Sequence, residues 1–265
     1  MSSAHGHQTQ ADVWLRSLLR QLAARALDDL ARMGRHDSSA VHYLRVRMKK
    51  LRAVLRLGRT GENTGELRSL DRHCRAIKNG YGGMRDNDVM DRLCQKHFGE
   101  ALPDSAQVHA TDWSQERGRR ELLALACELE DMPLAGLDWQ RVLENYRQAW
   151  RSARKAMRRC EDSRAPRAFH TWRKRVKRLY YQCLALRRQL GGDKRIRRAR
   201  KLGRRLGREH DLAMLCELLP REGRWQERAR QVEQKRLKQH PRLLKLGRKL
   251  FKRRLRPKGS HQNPG

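Results

Sequence analysis

The stretch VHYLRVRMKKLR, residues 41–52, returns 128 residues later as FHTWRKRVKRLY, residues 169–180. A histidine, His42 or His170, stands near the start of each copy, and cationic side chains follow it at the same distances. The apolar residues of both copies recur three or four positions apart, which predicts an α-helix. The chain is therefore expected to use one basic helix twice.

When each copy is drawn as a helix, apolar and cationic side chains separate onto two adjacent faces. The apolar face carries Leu44, Met48 and Leu51 in the first copy, and Trp172 and Val176 in the second. Cations spaced three and four residues apart repel each other on a helix. A row of them therefore predicts a linear anionic polymer as the counter-charge. The cationic face consists of His42, Arg45, Lys49, Arg52 and Arg56 in the first copy and of His170, Arg173 and Lys177 in the second.

A second basic pattern recurs with a shift of 123 residues and adds to the candidate binding residues. It is followed by RDND, residues 85–88, in the first half and by REHD, residues 208–211, in the second. We interpret Asp88 and Asp211 as N-caps that open further helices after glycine-containing turns; the alternative is that they orient Arg85, Arg208 or a histidine of the repeated helix. Internal duplication explains both repeats and divides the chain into residues 1–133 and 134–265. The second basic pattern consists of Arg72, Arg75 and Lys78, and of Arg195, Arg198 and Lys201.

The charge of the chain is its strongest signal. Lysine and arginine number 63 against 29 aspartates and glutamates, a formal net charge of +34 at pH 7. Residues 1–133 hold 22 of these cations and 18 of the carboxylates, so residues 134–265 hold 41 and 11, and the halves carry +4 and +30. So large an excess of one sign repels itself and implies an anionic partner. The planar fork of arginine matches phosphate oxygens in particular.

Apolar residues at helical spacing run through almost the whole chain, and no convincing alternating strand is present, so the predicted fold class is all-α. Glycine and proline separate the helical segments. We predict helices at 12–33, 39–58, 64–79, 87–97, 105–130, 138–160, 166–190, 193–205, 210–219, 223–239 and 242–254.

The last predicted helix is basic and amphipathic, with Leu243, Leu246, Leu250 and Phe251 on one side. It either docks on the rest of the protein or binds a membrane surface. No run of 18 apolar residues predicts a membrane span, and the N-terminus lacks the pattern of a secretory signal, so we expect a cytoplasmic location. The six cysteines are scattered singly, which predicts buried thiols rather than disulfides or a metal cluster.

The chain contains parts of the motifs of two enzyme classes, but neither motif is complete. The dipeptide His210–Asp211 is typical of metal-dependent HD phosphohydrolases, but no aspartate follows Asp211 to complete the ligand set. The run ELEDM, residues 128–132, has Met132 where triphosphate tunnel enzymes have lysine. Walker A, GxSxG and HExxH motifs are absent. We therefore predict a non-enzymatic protein without a cofactor.

The histidines allow a metal site as an alternative, if His42, His73, His170 and His210 converge. Cations beside them would oppose a bound metal ion, so we predict no metal site. A bound phosphate would instead favour the charged form of His42 and His170, so affinity should rise as the pH falls below neutrality. Non-specific nucleic-acid binding remains an alternative, although no cluster of aromatic residues suggests a platform for base stacking.

The two histidine-led helices, with RDNDV and REHDLAML after them, resemble the CHAD family, the conserved histidine α-helical domain, over residues of roughly 12–255. The resemblance implies two pseudo-symmetric four-helix bundles with a basic groove or pore between them. It also implies binding of inorganic polyphosphate and location at polyphosphate granules. The second copy departs from the family pattern in REHD and in Tyr180, which stands where the first copy has Arg52. The binding residues that the resemblance implies are His42, Arg45, Lys49, Arg52, His170, Arg173 and Lys177.

Overall fold

A computed structural model describes residues 9–33, 39–103 and 113–252, and only the backbone of residues 83–88. All regular secondary structure in that part of the chain is helical, which confirms the all-α prediction. Predicted residues 105–112, 253 and 254, and the first residues of the chain, lie outside the described residues. The helices are α1 (Gln10–Met33), α2 (Ala40–Leu55), α3 (Thr64–Gly80), α4 (Gly83–Phe98), α5 (Gln115–Glu130), α6 (Trp139–Asp162), α7 (Pro166–Ala185), α8 (Arg187–Leu190), α9 (Asp193–Leu218), α10 (Gly223–Leu237) and α11 (His240–Phe251).

The two histidine-led helices, α2 and α7, bury the apolar faces that their spacing predicts. Leu44, Met48 and Leu51 are fully buried on α2, and Trp172 and Val176 are fully buried on α7. Proline at the first position of α7 fixes the backbone angle that a helix start requires, and its missing N–H would have had no intrahelical acceptor there. The cationic faces lie beside these buried faces, and their residues are partly or fully exposed except Arg45, which is buried.

The helices pack as two groups of four. In the first group α1, α2, α3 and α5 pack on one another, and in the second α6, α7, α9 and α11 do. Helix α2 packs against α7, and Gln182 on α7 donates a buried hydrogen bond to the carbonyl of Ala53 at 3.0 Å. One hydrophobic core runs through both groups. The internal duplication, the pseudo-symmetry and the boundary at residue 133 stay predictions.

A smaller second core holds α4 and α10 against the C-terminal part of α9. Met90 and Cys94 of α4 meet Leu212 and Leu215 of α9 and Val232 of α10 there. Since α4 belongs to the first half of the sequence, this core is a second junction between the halves. Met90 of this core also lies near residues of α2 and α7.

The predicted break between residues 205 and 210 is wrong, because α9 is one continuous helix of 26 residues. Glycine costs only about 1 kcal/mol relative to alanine inside a helix. Leu202, Leu206, Leu212 and Leu215 are buried along the length of α9. This burial offsets the cost of Gly203 and Gly207, so the chain continues as a helix.

The two predicted N-caps are wrong for a related reason. Asp211 lies in the interior of α9, seven residues before the helix ends at Leu218. Asp88 lies in the interior of α4, which begins at Gly83 with Gly82 as its N-cap residue. The side chains of Asp88 and Arg85 lie outside the described part of the structure.

Helix α11 docks on the protein through its apolar side. Leu243, Leu250 and Phe251 are buried, and the ring of Phe251 packs edge-on against Trp150 of α6. No helix in the described ranges has an apolar segment of the length and composition that crossing a bilayer requires. The cysteines are free thiols, most of them buried as predicted, but Cys127 is exposed on α5.

Candidate functional site

A cleft of about 640 Å³ opens where α2 of the first half packs against α7 of the second. Its lining contains eleven lysines and arginines and, among the described residues, a single carboxylate, that of Asp211. The cleft is therefore a concentrated positive site to which both halves contribute. The lining residues are Arg45, Lys49, Arg52, Ala53 and Arg56 of α2, Arg75, Lys78 and Asn79 of α3, Val89 and Met90 of α4, His170, Thr171, Arg173, Lys174, Arg175, Lys177, Arg178 and Tyr181 of α7, and His210, Asp211 and Met214 of α9.

On the first-half wall, two arginines are oriented by one carboxylate. Asp71 of α3 accepts hydrogen bonds from Arg52 at 3.1 Å and from Arg56 at 2.8 Å. Burial alone would raise the pKa of Asp71, but the hydrogen bonds from Arg56 and Arg52 outweigh it and lower the pKa. Asp71 therefore stays ionised, holds both guanidinium groups in place and neutralises part of their charge.

Arg45 is buried, with only 6 % of its surface exposed, although it lines the cleft. Its guanidinium group donates to the carbonyl of Tyr81 and, at 3.4 Å, to that of Lys78, both at the end of α3. A cation at a helix C-terminus stabilises the exposed carbonyls and the negative end of the helix dipole. Glycine is required at position 82, since a Cβ there would lie 2.7 Å from the carbonyl oxygen of Asn79 and 3.3 Å from the guanidinium group of Arg45. Arg45 therefore joins α2 to α3 as well as adding charge.

On the second-half wall, two histidines form a pair. Nδ1 of His170 on α7 lies 3.1 Å from Nδ1 of His210 on α9, so one ring donates and the other accepts. Burial, with the neighbouring Arg173, lowers the pKa of His210 to about 3. Burial, with Lys174 and Arg173, also lowers the pKa of His170. The pair is therefore uncharged at neutral pH and can donate or accept hydrogen bonds without adding to the positive charge.

Burial and neighbouring positive charges lower the pKa values of two cations in the cleft. Burial, followed by the charge of Arg56, lowers the pKa of Arg178 to about 10. Burial and then Arg75 and Arg173 lower the pKa of Lys174. These shifts link α7 to α2 and α3 across the cleft. An anion between the two walls would relieve this repulsion, which is the electrostatic condition for anion binding.

Most of the predicted binding residues meet in the cleft. They are Arg45, Lys49, Arg52, Arg56, Arg75 and Lys78 from the first half and His170, Arg173 and Lys177 from the second.

Five predicted residues lie elsewhere. His42 is exposed at the start of α2, and Arg72 is exposed on α3. Arg195 lies over the ring of Trp150 at 5.5 Å, and Arg198 donates to the carbonyl of Lys249 at 3.1 Å. Lys201 is exposed on α9. These five residues follow the repeated sequence pattern, but their side chains do not line the cleft.

Sequence reasoning also missed residues that line the cleft, above all His210, Lys174 and Arg178. His210 was assigned only to an enzyme motif or a metal site, because nothing in the local pattern relates it to His170, 40 positions earlier. Arg178 corresponds to Lys50 in the repeated helix, with the shift of 128 residues. Lys50 instead faces α1, where burial and then Arg47 lower its pKa.

The four histidines of the metal alternative do not converge. His73 lies between Glu121 and Glu128 of α5, at 2.9 Å from each carboxylate. His42 is exposed at the far end of α2, while His170 and His210 form their own pair. Among the residues that the structure describes, no three histidine, cysteine or carboxylate side chains are grouped as metal ligands.

Comparison with known proteins yields one match. The family model of the CHAD domain matches residues 14–220, which is most of the chain. No curated protein and no solved structure matches it. The matched range ends before α10 and α11, although the packing of α11 makes that helix part of the same core.

Proposed function

The chain belongs to the CHAD family, and on that premise we propose that it binds inorganic polyphosphate in the basic cleft. The observation that supports this most is the cleft composition, eleven lysines and arginines with a single carboxylate among the described residues that line it. Both halves contribute to this set, as a polymer lying along the junction of α2 and α7 would require.

The chemistry of the cleft suits a narrow phosphate chain. Guanidinium groups form paired hydrogen bonds with phosphate oxygens, and lysines act as mobile point charges. A chain of phosphates supplies one negative charge after another, which matches the rows of cations on α2 and α7. The uncharged histidine pair adds hydrogen-bonding groups between these cations.

Nucleic acid is less well matched to this cleft. Binding of single strands depends on aromatic rings that stack on the bases. Among the described lining residues, Tyr181 is the one phenolic or indole side chain, and it is buried with 7 % of its surface exposed. We therefore propose a phosphate-chain site rather than a base-reading one.

The proposed role is binding without catalysis. A phosphate hydrolase commonly holds a divalent cation with carboxylates, whereas the lining supplies Asp211 alone among the described residues. We propose that polyphosphate binding targets the protein, together with any bound partner, to polyphosphate granules.

Competition between two polyanions tests the proposal directly. Labelled long-chain polyphosphate is bound to the protein at near-physiological ionic strength and challenged with duplex DNA at equal phosphate concentration. We expect most of the polyphosphate to remain bound. Displacement by DNA would show that the chain binds polyanions in general and would contradict the proposal.

A double charge reversal tests the site. Lys49→Glu with Lys177→Glu changes the net charge from +34 to +30 and places one carboxylate on each wall of the cleft. We expect affinity for polyphosphate to fall at least about tenfold, or roughly 1.4 kcal/mol, measured by titration calorimetry. The control is Lys96→Glu with Arg119→Glu, two exposed positions outside the cleft with the same change in charge. Equal losses in both variants, with circular dichroism and melting unchanged, would assign binding to bulk charge instead.

A further inference from the structure

The cleft uses only a small share of the charge of the second half. Five of its 41 lysines and arginines, all on α7, line the cleft. Many of the other cations in the described part of the second half are exposed on α6, α9 and α11. We call the exposed cations of these three helices the outer basic face.

Helix α6 contributes a row of cations along its exposed side. Arg151, Arg154, Lys155, Arg158 and Arg159 are all exposed, at spacings that place them on one face of the helix. Residues 145–160 contain no aspartate or glutamate. The usual mixture of signs on a solvated helix surface is therefore missing along four turns.

Helix α11 continues this surface. Arg242, Lys245, Lys249 and Lys252 are exposed, and the helix contains no carboxylate side chain. Arg248 forms an ion pair with Glu161 at the end of α6, at 2.9 Å. This contact places the exposed sides of α6 and α11 next to each other.

Helix α9 connects the outer basic face to the cleft. Lys194, Arg197, Lys201 and Arg204 are exposed, and residues 194–208 contain no carboxylate. On one side of α9, Arg198 bonds to the carbonyl of Lys249 on α11. On another side, a Cβ at Gly203 would lie 3.5 Å from the lysine stem of Lys177, which lines the cleft. The exposed side of α9 therefore extends between α11 and the cleft.

From this continuity we infer that the outer basic face binds a second stretch of the same polyphosphate chain that the cleft holds. The inference rests on the proposed function of the cleft. Cations at these spacings repel each other in the free protein, and a polyanion lying over them removes that repulsion. A chain already held in the cleft reaches α9 at a high effective concentration, so the second contact strengthens binding without a second encounter.

This arrangement should make the affinity depend on the length of the polyphosphate chain. Tripolyphosphate is short enough to occupy only the cleft, whereas a long chain reaches both surfaces. We expect the wild-type protein to bind long-chain polyphosphate more tightly per phosphate than tripolyphosphate. The salt dependence of the long chain should also be steeper, by about one unit of log–log slope for each added contact, as for nucleic acids.

The test removes charge from the outer basic face alone. Arg151→Glu, Lys155→Glu and Arg158→Glu together change the net charge from +34 to +28. We expect this variant to lose most of the advantage of the long chain and to bind tripolyphosphate as the wild type does. The matched control, Lys96→Glu, Arg119→Glu and Arg120→Glu, carries the same charge change on exposed positions of α4 and α5. It should keep the advantage.

Several results would overturn the inference. One is an equal loss of affinity for long-chain polyphosphate in the variant and its control. Another is a wild-type protein that binds long-chain polyphosphate and tripolyphosphate equally tightly per phosphate. A third is a variant that loses affinity for duplex DNA but not for long-chain polyphosphate. Failure of the cleft proposal would look different, because the reversal at Lys49 and Lys177 would then leave the affinity for tripolyphosphate unchanged.

Discussion

The two histidine-led helices begin alike in sequence and end in different surroundings. His42 is exposed at the start of α2, whereas His170 is half-buried on α7 and paired with His210. On the first-half wall Arg52 and Arg56 bond to Asp71.

Arg52, Arg56 and Asp71 have no chemically similar counterparts in the second half. With the shifts of 128 and 123 residues, Arg52 and Arg56 correspond to Tyr180 and Leu184, and Asp71 to Lys194. The difference teaches that the halves supply different properties to one cleft. The first half supplies arginines held in fixed geometry and partly neutralised, and the second supplies lysines, arginines and an uncharged histidine pair.

The halves also differ in how deeply their paired carboxylates are buried. Removing the partner of a buried carboxylate gives the largest expected loss of stability. In the second half Arg236 is 1 % exposed and bonds to Glu209 at 2.7 Å and to Glu233 at 2.6 Å. Arg236→Ala leaves Glu209 buried at 0 % exposure without its main partner. We expect the free energy of unfolding to fall by about 3–5 kcal/mol, measured by urea denaturation.

The first half offers the comparison, since His73 bonds to Glu121 and Glu128 near the surface. His73→Ala should cost about 1 kcal/mol, as the loss of hydrogen bonds between partly exposed side chains usually does. Equal costs at His73 and Arg236 would refute this difference between the halves.

Removing the carboxylate that is specific to the first half should alter binding and stability in opposite directions. Asp71→Asn keeps the shape of the side chain but releases Arg52 and Arg56 from an ionised partner. We expect affinity for polyphosphate to rise roughly threefold, or about 0.7 kcal/mol, by titration calorimetry. Stability at neutral pH should fall by about 1 kcal/mol.

Glu66→Gln is the matched control for Asp71→Asn, because it removes one negative charge from an exposed position on the same helix. It should change affinity by less. A weaker binding of polyphosphate by Asp71→Asn would mean that the geometry of the two arginines matters more than their charge.

The histidine pair of the second half should make stability depend on pH. Burial lowers the folded-state pKa of His210 to about 3 and also lowers that of His170. Between pH about 6.5 and those lower values the unfolded chain binds protons that the folded chain does not. Stability should therefore fall as the pH falls below about 6.5, with a slope of at most about 1.4 kcal/mol per pH unit for each histidine.

Substitution of His210 tests this origin of the pH dependence. His210→Gln should flatten the decline in urea midpoints below pH about 6.5. A decline that His210→Gln leaves unchanged would assign the pH dependence to other groups. The rise in affinity at acidic pH, expected from phosphate beside histidine, should depend on His170 and begin below the ordinary pKa of histidine.

The sequence allowed the fold class and the faces of α2 and α7 to be predicted, because burial follows the helical period so closely. Leu44 and Trp172 are both fully buried as their spacing required. It could not reveal the pairing of His170 with His210, since that depends on the packing of α7 on α9. Nor could it show that Arg195 and Arg198 lie outside the cleft, because their positions on α9 repeat those on α3 while α9 packs against different helices.

The last prediction concerns the place where sequence reasoning failed, the continuity of α9. Gly203 corresponds to Gly80 of the first half with the shift of 123 residues. A Cβ at Gly203 would make only ordinary contacts, at 3.5 Å or more, and one at Gly207 would meet nothing within 4 Å. Alanine at either position should therefore raise the free energy of unfolding by about 0.5–1 kcal/mol, measured by urea denaturation. At Gly80, where α3 ends, a Cβ would collide with the ring of Trp113, so Gly80→Ala should destabilise the protein. Destabilisation by Gly203→Ala would instead contradict a continuous helix at this glycine and would make the two halves more alike than the structure shows.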